Sequence, residues 1–190
     1  MNMELREAKV SCSRGLGPAK RAGALPLEKV HTLPAEWDGP LIKGGPAKPR
    51  ATLLVGCWWG MREIELAALR IKNLTFSSDA AGCGSCSINL PVSKTDPEAL
   101  GKHRLHGCCC AAGGCPVAAA RCLVDHSMSV RGSLAAGGFA VLSADGRQVP
   151  KRHVQVCLQN AATALGVDGR ITAHAMRATA AQALARAGLD

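Results

Sequence analysis

The sequence has 190 residues, is 47% apolar but only 3% aromatic, and carries a formal net charge of +9 at pH 7. The length suffices for one domain with its own core. A secretory signal pattern and an uninterrupted apolar stretch of about 18 residues are both missing, which argues against a secreted or membrane-spanning protein. We therefore expect a soluble intracellular protein, nuclear in a eukaryote, whose surplus positive charge favours a polyanionic partner such as nucleic acid.

The chain divides by composition into two parts. Residues 1–48 are rich in Gly, Pro, Lys and Arg and predict a mostly irregular basic lead-in with short helical turns at most. Residues 49–190 show regular periodicity and predict a single domain.

This second part predicts helices on both sides of a short hairpin. The expected elements are a helix from Pro49 interrupted at Gly60, a helix over about 62–69, strands over 87–93 and 104–106, helices over about 116–128 and 151–165, and a last helix from Ala173 to Gly188 with Thr172 as its N-cap. The buried stripe of this last helix is expected to consist of Met176, Ala180, Leu184 and Ala187. The order of elements predicts a mainly helical α+β domain with a small antiparallel hairpin or sheet.

The first motif with chemical potential follows the glycine that interrupts the first helix. Arg62 stands just after Gly60, where its rigid fork of donors can point into a cleft and match phosphate oxygens in pairs. Glu65 lies one turn further along and can hold the guanidinium in place. Taken alone, the motif is more typical of a solvated arginine in an ordinary helical ion pair.

The second motif is Lys94 at the tip of the predicted hairpin. A lysine on a hairpin can place its ammonium group on a phosphate or donate a proton to a leaving oxygen. By itself it is equally well explained as a solvated turn residue.

The third motif joins His174 and Arg177 near the start of the last helix. Their spacing places both side chains on one helix face, and the helix N-terminus also favours an anion. A histidine that belongs to the capping region and an unrelated arginine would give the same pattern.

Together the three motifs resemble those of one family, the tyrosine recombinases or phage integrases. The stretch from Gly60 to Leu66 resembles the first arginine box of the catalytic domain, and Lys94 in Leu90–Asp96 resembles the hairpin lysine. The stretch Thr172–Thr179 is similar to the His-x-x-Arg box, including the threonine after the arginine. The resemblance covers about residues 50 to 190.

The resemblance implies a tyrosine-recombinase-like fold, a DNA partner, and roles for individual residues without a cofactor or metal. Arg62 and Arg177 would hold the scissile phosphate and stabilise its developing negative charge. Lys94 would protonate the leaving 5′ oxygen, and His174 would assist proton transfer. Glu65 and Thr179 would support these groups.

The sequence departs from the family pattern in its nucleophile. The family attacks phosphorus with a tyrosine, but this chain contains no tyrosine and ends at Asp190, soon after Arg177. We therefore expect a DNA-binding fragment of a recombinase catalytic domain that does not cleave DNA alone. Homo-oligomers on DNA are expected only for a full-length protein.

Two other interpretations stay open at this stage. The first is a zinc-stabilised module, since ten cysteines are many for an intracellular chain and disulfides are not expected there. Its ligands would be Cys83, Cys86, Cys110 and Cys115, with His103 and His106 as further candidates. The second is a plain basic DNA-binding or interaction module in which the four motif residues are scattered. Cys57, Cys122 and Cys157 fall within predicted helices and are interpreted as packed thiols.

Overall fold

A computed structural model describes residues 23–78, 84–90, 102–109, 114–132, 137–168 and 171–188. The helices are α1 (Leu27–Val30), α2 (Pro49–Trp58), α3 (Glu63–Ala67), α4 (Pro116–Arg131), α5 (Lys151–Ala164) and α6 (Ala175–Arg186). The strands are β1 (Leu74–Ser78), β2 (Gly84–Leu90) and β3 (Lys102–Gly107), and two 3₁₀ turns cover Ala35–Asp38 and Ile71–Asn73. Helices together with a small antiparallel sheet agree with the predicted α+β class, and the tyrosine-recombinase-like fold stays a prediction.

The three strands form one antiparallel sheet in the order β1–β2–β3. Alternate residues of β2 are buried, and Cys86 and Ile88 pair in register with His106 and Arg104 of β3. Because cross-strand partners point to the same face of a sheet, Arg104 and His106 face inward while Leu105 is exposed. This register directs a positive charge from β3 toward the helices.

The central helix of the fold is α2, which contacts α1, α4, α5 and α6. Every residue from Ala51 to Cys57 is buried, as expected for a helix that is apolar on all sides. Gly56 permits the closest approach, because a Cβ atom there would collide with the sulfur of Met176 on α6. This contact brings the start of α6 next to the end of α2.

The described part of the lead-in packs on the same core. Leu25, Val30 and Trp37 are buried within it. The amide of Leu25 also donates a 2.8 Å hydrogen bond to the hydroxyl of Thr179 on α6. The short helix α1 and the 3₁₀ turn agree with the expected helical turns, and the division of the chain at residue 48 stays a prediction.

Two details of the last helix differ from the sequence prediction. The helix begins at Ala175 with His174 as its N-cap, because the Thr172 hydroxyl accepts a 3.3 Å hydrogen bond from the His174 amide in a turn that precedes the helix. The buried stripe is shorter than expected. Met176 is fully buried, but Leu184 is 48% exposed and Ala187 is also exposed, since the contacts of α6 with α1 and α2 bury its first turns only.

The sheet also contains a strand that the sequence prediction missed. β1 alternates weakly and only Leu74 in it is buried, so its pattern carries little signal.

Cys57 and Cys157 are packed thiols as predicted, and Cys122 is half-buried. In the part of the chain that the structure describes, every helix is too short or too polar to cross a bilayer.

Candidate functional site

The candidate site is built around the turn that follows α2. Gly60 has a φ of +55°, a conformation that favours glycine, and it redirects the chain so that Arg62 becomes the N-cap of α3. Glu65 accepts a 2.7 Å hydrogen bond from the Arg62 amide through Oε2. This bond satisfies a donor at the helix start and fixes the glutamate next to the turn.

Arg177 from α6 meets the same glutamate. Its Nη2 lies 2.7 Å from Glu65 Oε1, and its Nε donates a 3.1 Å hydrogen bond to the Gly60 carbonyl. Nη1 of Arg62 lies 3.9 Å from the same Oε1 atom. The structure thus brings together Arg62, Glu65 and Arg177, with one carboxylate oxygen between two guanidinium groups.

A third arginine, which the sequence analysis did not select, completes the cluster. Arg104 of β3 donates hydrogen bonds through Nη1 to the carbonyls of Trp59 and, at 3.2 Å, Gly60. Burial and then the positive charge of Arg177 lower the pKa of Arg104, and Glu65 opposes this effect. The guanidinium stays protonated at neutral pH because its unperturbed pKa is so high. Only the inward position of Arg104 on an edge strand could have marked it as a site residue. That position is known only when the register of the sheet is known.

The cluster of Arg62, Arg104, Arg177 and Glu65, hereafter the arginine cluster, has more positive than negative charge. The carboxylate side chain is 8% exposed, whereas those of Arg62 and Arg177 are 22% and 29% exposed. Nε of Arg62 is buried and has no hydrogen-bond partner among the described residues. Partly exposed guanidinium groups with surplus charge are suited to hold an anion with several acceptor oxygens.

Of the remaining predicted site residues, the structure describes His174 and Thr179, and neither contacts the arginine cluster. The side chain of His174 is exposed, and the structure gives it no contact with the arginine cluster among the described residues. Thr179 is buried on the other side of α6, where its hydroxyl donates to the Ala175 carbonyl and accepts from Leu25. Lys94 lies outside the described residues, in the segment that connects β2 to β3.

The cysteines of the zinc alternative are only partly described. Cys83 and Cys110 lie outside the described residues. Cys86 is buried beneath the sheet, and Cys115 precedes α4 and contacts Cys108. Within the described ranges, the structure brings no three His, Cys, Asp or Glu side chains into an arrangement that could hold a metal ion.

His106 lies beside the arginine cluster and packs edge-on against two tryptophans. Its ring centroid is 5.4 Å from that of Trp58 and 4.9 Å from that of Trp59. Burial lowers the pKa of His106, a hydrogen bond to the Trp58 backbone opposes this, and the charge of Arg104 lowers it further. The neutral imidazole is therefore the form that the folded protein prefers.

This lowered pKa predicts a loss of stability in mild acid. As the pH falls below the unperturbed value of 6.5, the unfolded chain takes up a proton on His106 before the folded chain does, so the free energy of unfolding decreases. Burial also lowers the pKa of His126, which adds an effect of the same sign. We expect urea denaturation at pH 7, 6 and 5 to give a falling free energy of unfolding, and a smaller fall in His106→Gln. The exposed His103 on the same strand is the control, and an equal change in His103→Gln would contradict the assignment.

The chain matches no protein-family profile and no curated protein sequence at a significant level. The function is therefore inferred from the arginine cluster and the motifs that carry it.

Proposed function

We propose that the arginine cluster binds a phosphate of the DNA backbone, and that the chain is a DNA-binding part of a tyrosine-recombinase-like catalytic domain. One observation carries the proposal: Arg62 and Arg177 approach the same oxygen of Glu65, although Glu65 and Arg177 are 112 positions apart. A plain basic module, in which the motif residues are scattered, gives no reason for Arg62 and Arg177 to meet at one carboxylate.

The arrangement suits phosphate more closely than a simple basic surface does. Each guanidinium presents several N–H donors in a plane, and two such groups held at an angle can surround a tetrahedral anion. Glu65 neutralises one of the charges and fixes both arginines, so less side-chain entropy is lost on binding. The surplus positive charge then attracts the phosphate.

DNA is favoured over a small phosphate ligand by the charge of the whole chain. A net charge of +9 adds a long-range attraction to a polyanion, and counterion release strengthens the binding at low salt. Lys94 would approach the same phosphate from the segment between β2 and β3. Arg104, on the strand that follows this segment, links β3 to the Gly60 turn through the carbonyls of Trp59 and Gly60.

The expected activity is binding without strand cleavage. A phosphotyrosyl link needs a tyrosine, and the sequence contains none. The proton-transfer roles that the family resemblance implies for Lys94 and the exposed His174 belong to strand cleavage, so they are not expected to operate without the tyrosine.

The test is a fluorescence-anisotropy titration of a labelled duplex over a range of salt concentrations, combined with a search for a covalent adduct. We expect log K to fall linearly with log salt by about 0.9 per neutralised phosphate, which indicates contact with the backbone. Incubation with a nicked duplex followed by denaturing electrophoresis should leave all DNA free of protein. Salt-independent or undetectable DNA binding would refute the binding proposal, and an adduct that survives denaturation would refute the predicted absence of cleavage.

A further inference from the structure

The connection from β3 to α4 carries a pair of cysteines that the proposed function does not use. Cys108 Sγ and Cys115 Sγ are 3.6 Å apart. Cys108 follows the last residue of β3, and Cys115 is the N-cap of α4. The sulfur atoms therefore face each other across a connection held at both ends by regular structure.

We propose that Cys108 and Cys115 form a redox-active dithiol, a modification site that a low-molecular-weight disulfide such as glutathione disulfide oxidises to an intramolecular disulfide. An S–S bond is about 2.05 Å long, so the two sulfur atoms, which are 3.6 Å apart, need to move closer by about 1.5 Å. The inference does not depend on DNA binding.

The reaction proceeds by two thiol–disulfide exchanges. The thiolate of Cys108, which is half-buried and thus reachable from solvent, attacks one sulfur of glutathione disulfide and releases one glutathione thiolate. The thiolate of Cys115, which is only 7% exposed, then attacks Cys108 Sγ from inside the protein and displaces the second glutathione thiolate. Two electrons pass from the cysteines to glutathione, and the two thiol protons pass through water to the two released thiolates.

The local contacts favour this pair. The amide of Cys109 lies 3.5 Å from Cys115 Sγ and can donate to it, which stabilises negative charge on that sulfur during the second exchange. The side chain of Trp58 donates a 2.9 Å hydrogen bond to the Gly114 carbonyl and so holds the connection next to Cys115. The backbone near both sulfurs is thereby ordered before the bond forms.

The other described cysteines are poorer nucleophiles near neutral pH than an ordinary thiol. Burial raises the pKa of Cys57 and of Cys157 to about 12, and that of Cys86 to about 11. Burial also raises the pKa of Cys109, with a further contribution from Cys115 and Cys108, and burial raises that of Cys122. Since the thiolate is the nucleophile, these groups react slowly near neutral pH.

The experiment locates the bond by two-step alkylation of the full chain. The reduced protein is treated with glutathione disulfide, blocked with light N-ethylmaleimide, reduced, and labelled with the heavy reagent. Trypsin cuts after Arg104 and Arg121, so residues 105–121 form one peptide whose fragment spectra place each label. We expect heavy label on Cys108 and Cys115, and light label on Cys109 and Cys110. Heavy label on any other pair, on one cysteine only, or on none would overturn the proposal.

A second readout is thermal stability, because a disulfide restricts the unfolded chain. We expect oxidation to raise Tm by about 5 °C in the wild type and to leave it unchanged in Cys108→Ser and Cys115→Ser. The control is Cys122→Ser, a half-buried cysteine on α4 that should keep the full increase. If Cys115→Ser does not fold, Cys108→Ser and the wild-type labelling decide the result. An equal increase in Cys108→Ser would refute the assignment.

Discussion

Alanine in place of Arg62 or Arg177 is expected to weaken binding to duplex DNA by roughly tenfold to a hundredfold at low salt. Each change removes charge-assisted hydrogen bonds to the DNA phosphate, which contribute about 1.5–3 kcal/mol apiece. Each change also reduces the surplus positive charge of the arginine cluster. The slope of log K against log salt should also flatten by about 1 if the lost group contacts a phosphate. Anisotropy titrations at four salt concentrations measure both quantities.

Two further variants separate phosphate contact from general charge. Arg62→Lys keeps the charge but loses the fork of donors, so its affinity should fall between those of the wild type and Arg62→Ala. Arg152→Ala removes an exposed arginine of α5 that no predicted motif includes. If Arg152→Ala weakens binding as strongly as Arg62→Ala does, the cluster has no special role and the plain-module interpretation is preferred.

Glu65→Ala is expected to reduce the free energy of unfolding by about 3 kcal/mol, because it leaves two neighbouring guanidinium groups without their shared, largely buried carboxylate. The change also removes the acceptor of the Arg62 amide at the start of α3. For a chain of this length the loss corresponds to a decrease in Tm of roughly 6–12 °C. Thermal denaturation followed by circular dichroism gives the value.

A matched pair of controls tests the physical cause. Glu28→Ala removes a carboxylate that is 59% exposed and pairs with Arg186 at 3.4 Å, so the expected loss is below about 1 kcal/mol. Glu65→Gln retains acceptor oxygen but not the charge, and its stability should lie between those of Glu65→Ala and the wild type. A Glu65→Ala protein as stable as Glu28→Ala would mean that the carboxylate does not hold the arginines in solution.

The helices of this chain were predictable because their signals are local. Pro49 and Pro116 mark first helical positions and Gly60 and Gly166 mark breaks, and α2, α4 and α5 begin or end at these residues or within a few positions of them. Arg62 and Arg177 could also be selected from the sequence, because both lie at or near the start of a helix.

Other features depend on packing between distant segments. β1 escapes a period-2 search because a single residue in it is buried. The inward direction of Arg104 follows from its pairing with Ile88, which no short window contains. Leu184 is exposed because α1 and α2 cover only the first turns of α6. The apolar stripe of a helix does not show how much of that helix its neighbours will cover.

The bond between the Leu25 amide and the Thr179 hydroxyl spans 154 positions of the chain. During synthesis on the ribosome, the segment around Leu25 emerges long before its acceptor exists. The core that Leu25 and Met176 share therefore closes late, after α6 has left the exit tunnel. Until then the apolar surface of α2 lacks its contacts with α6. Slow translation between the hairpin and α6 should therefore lengthen the period during which the nascent chain needs chaperones.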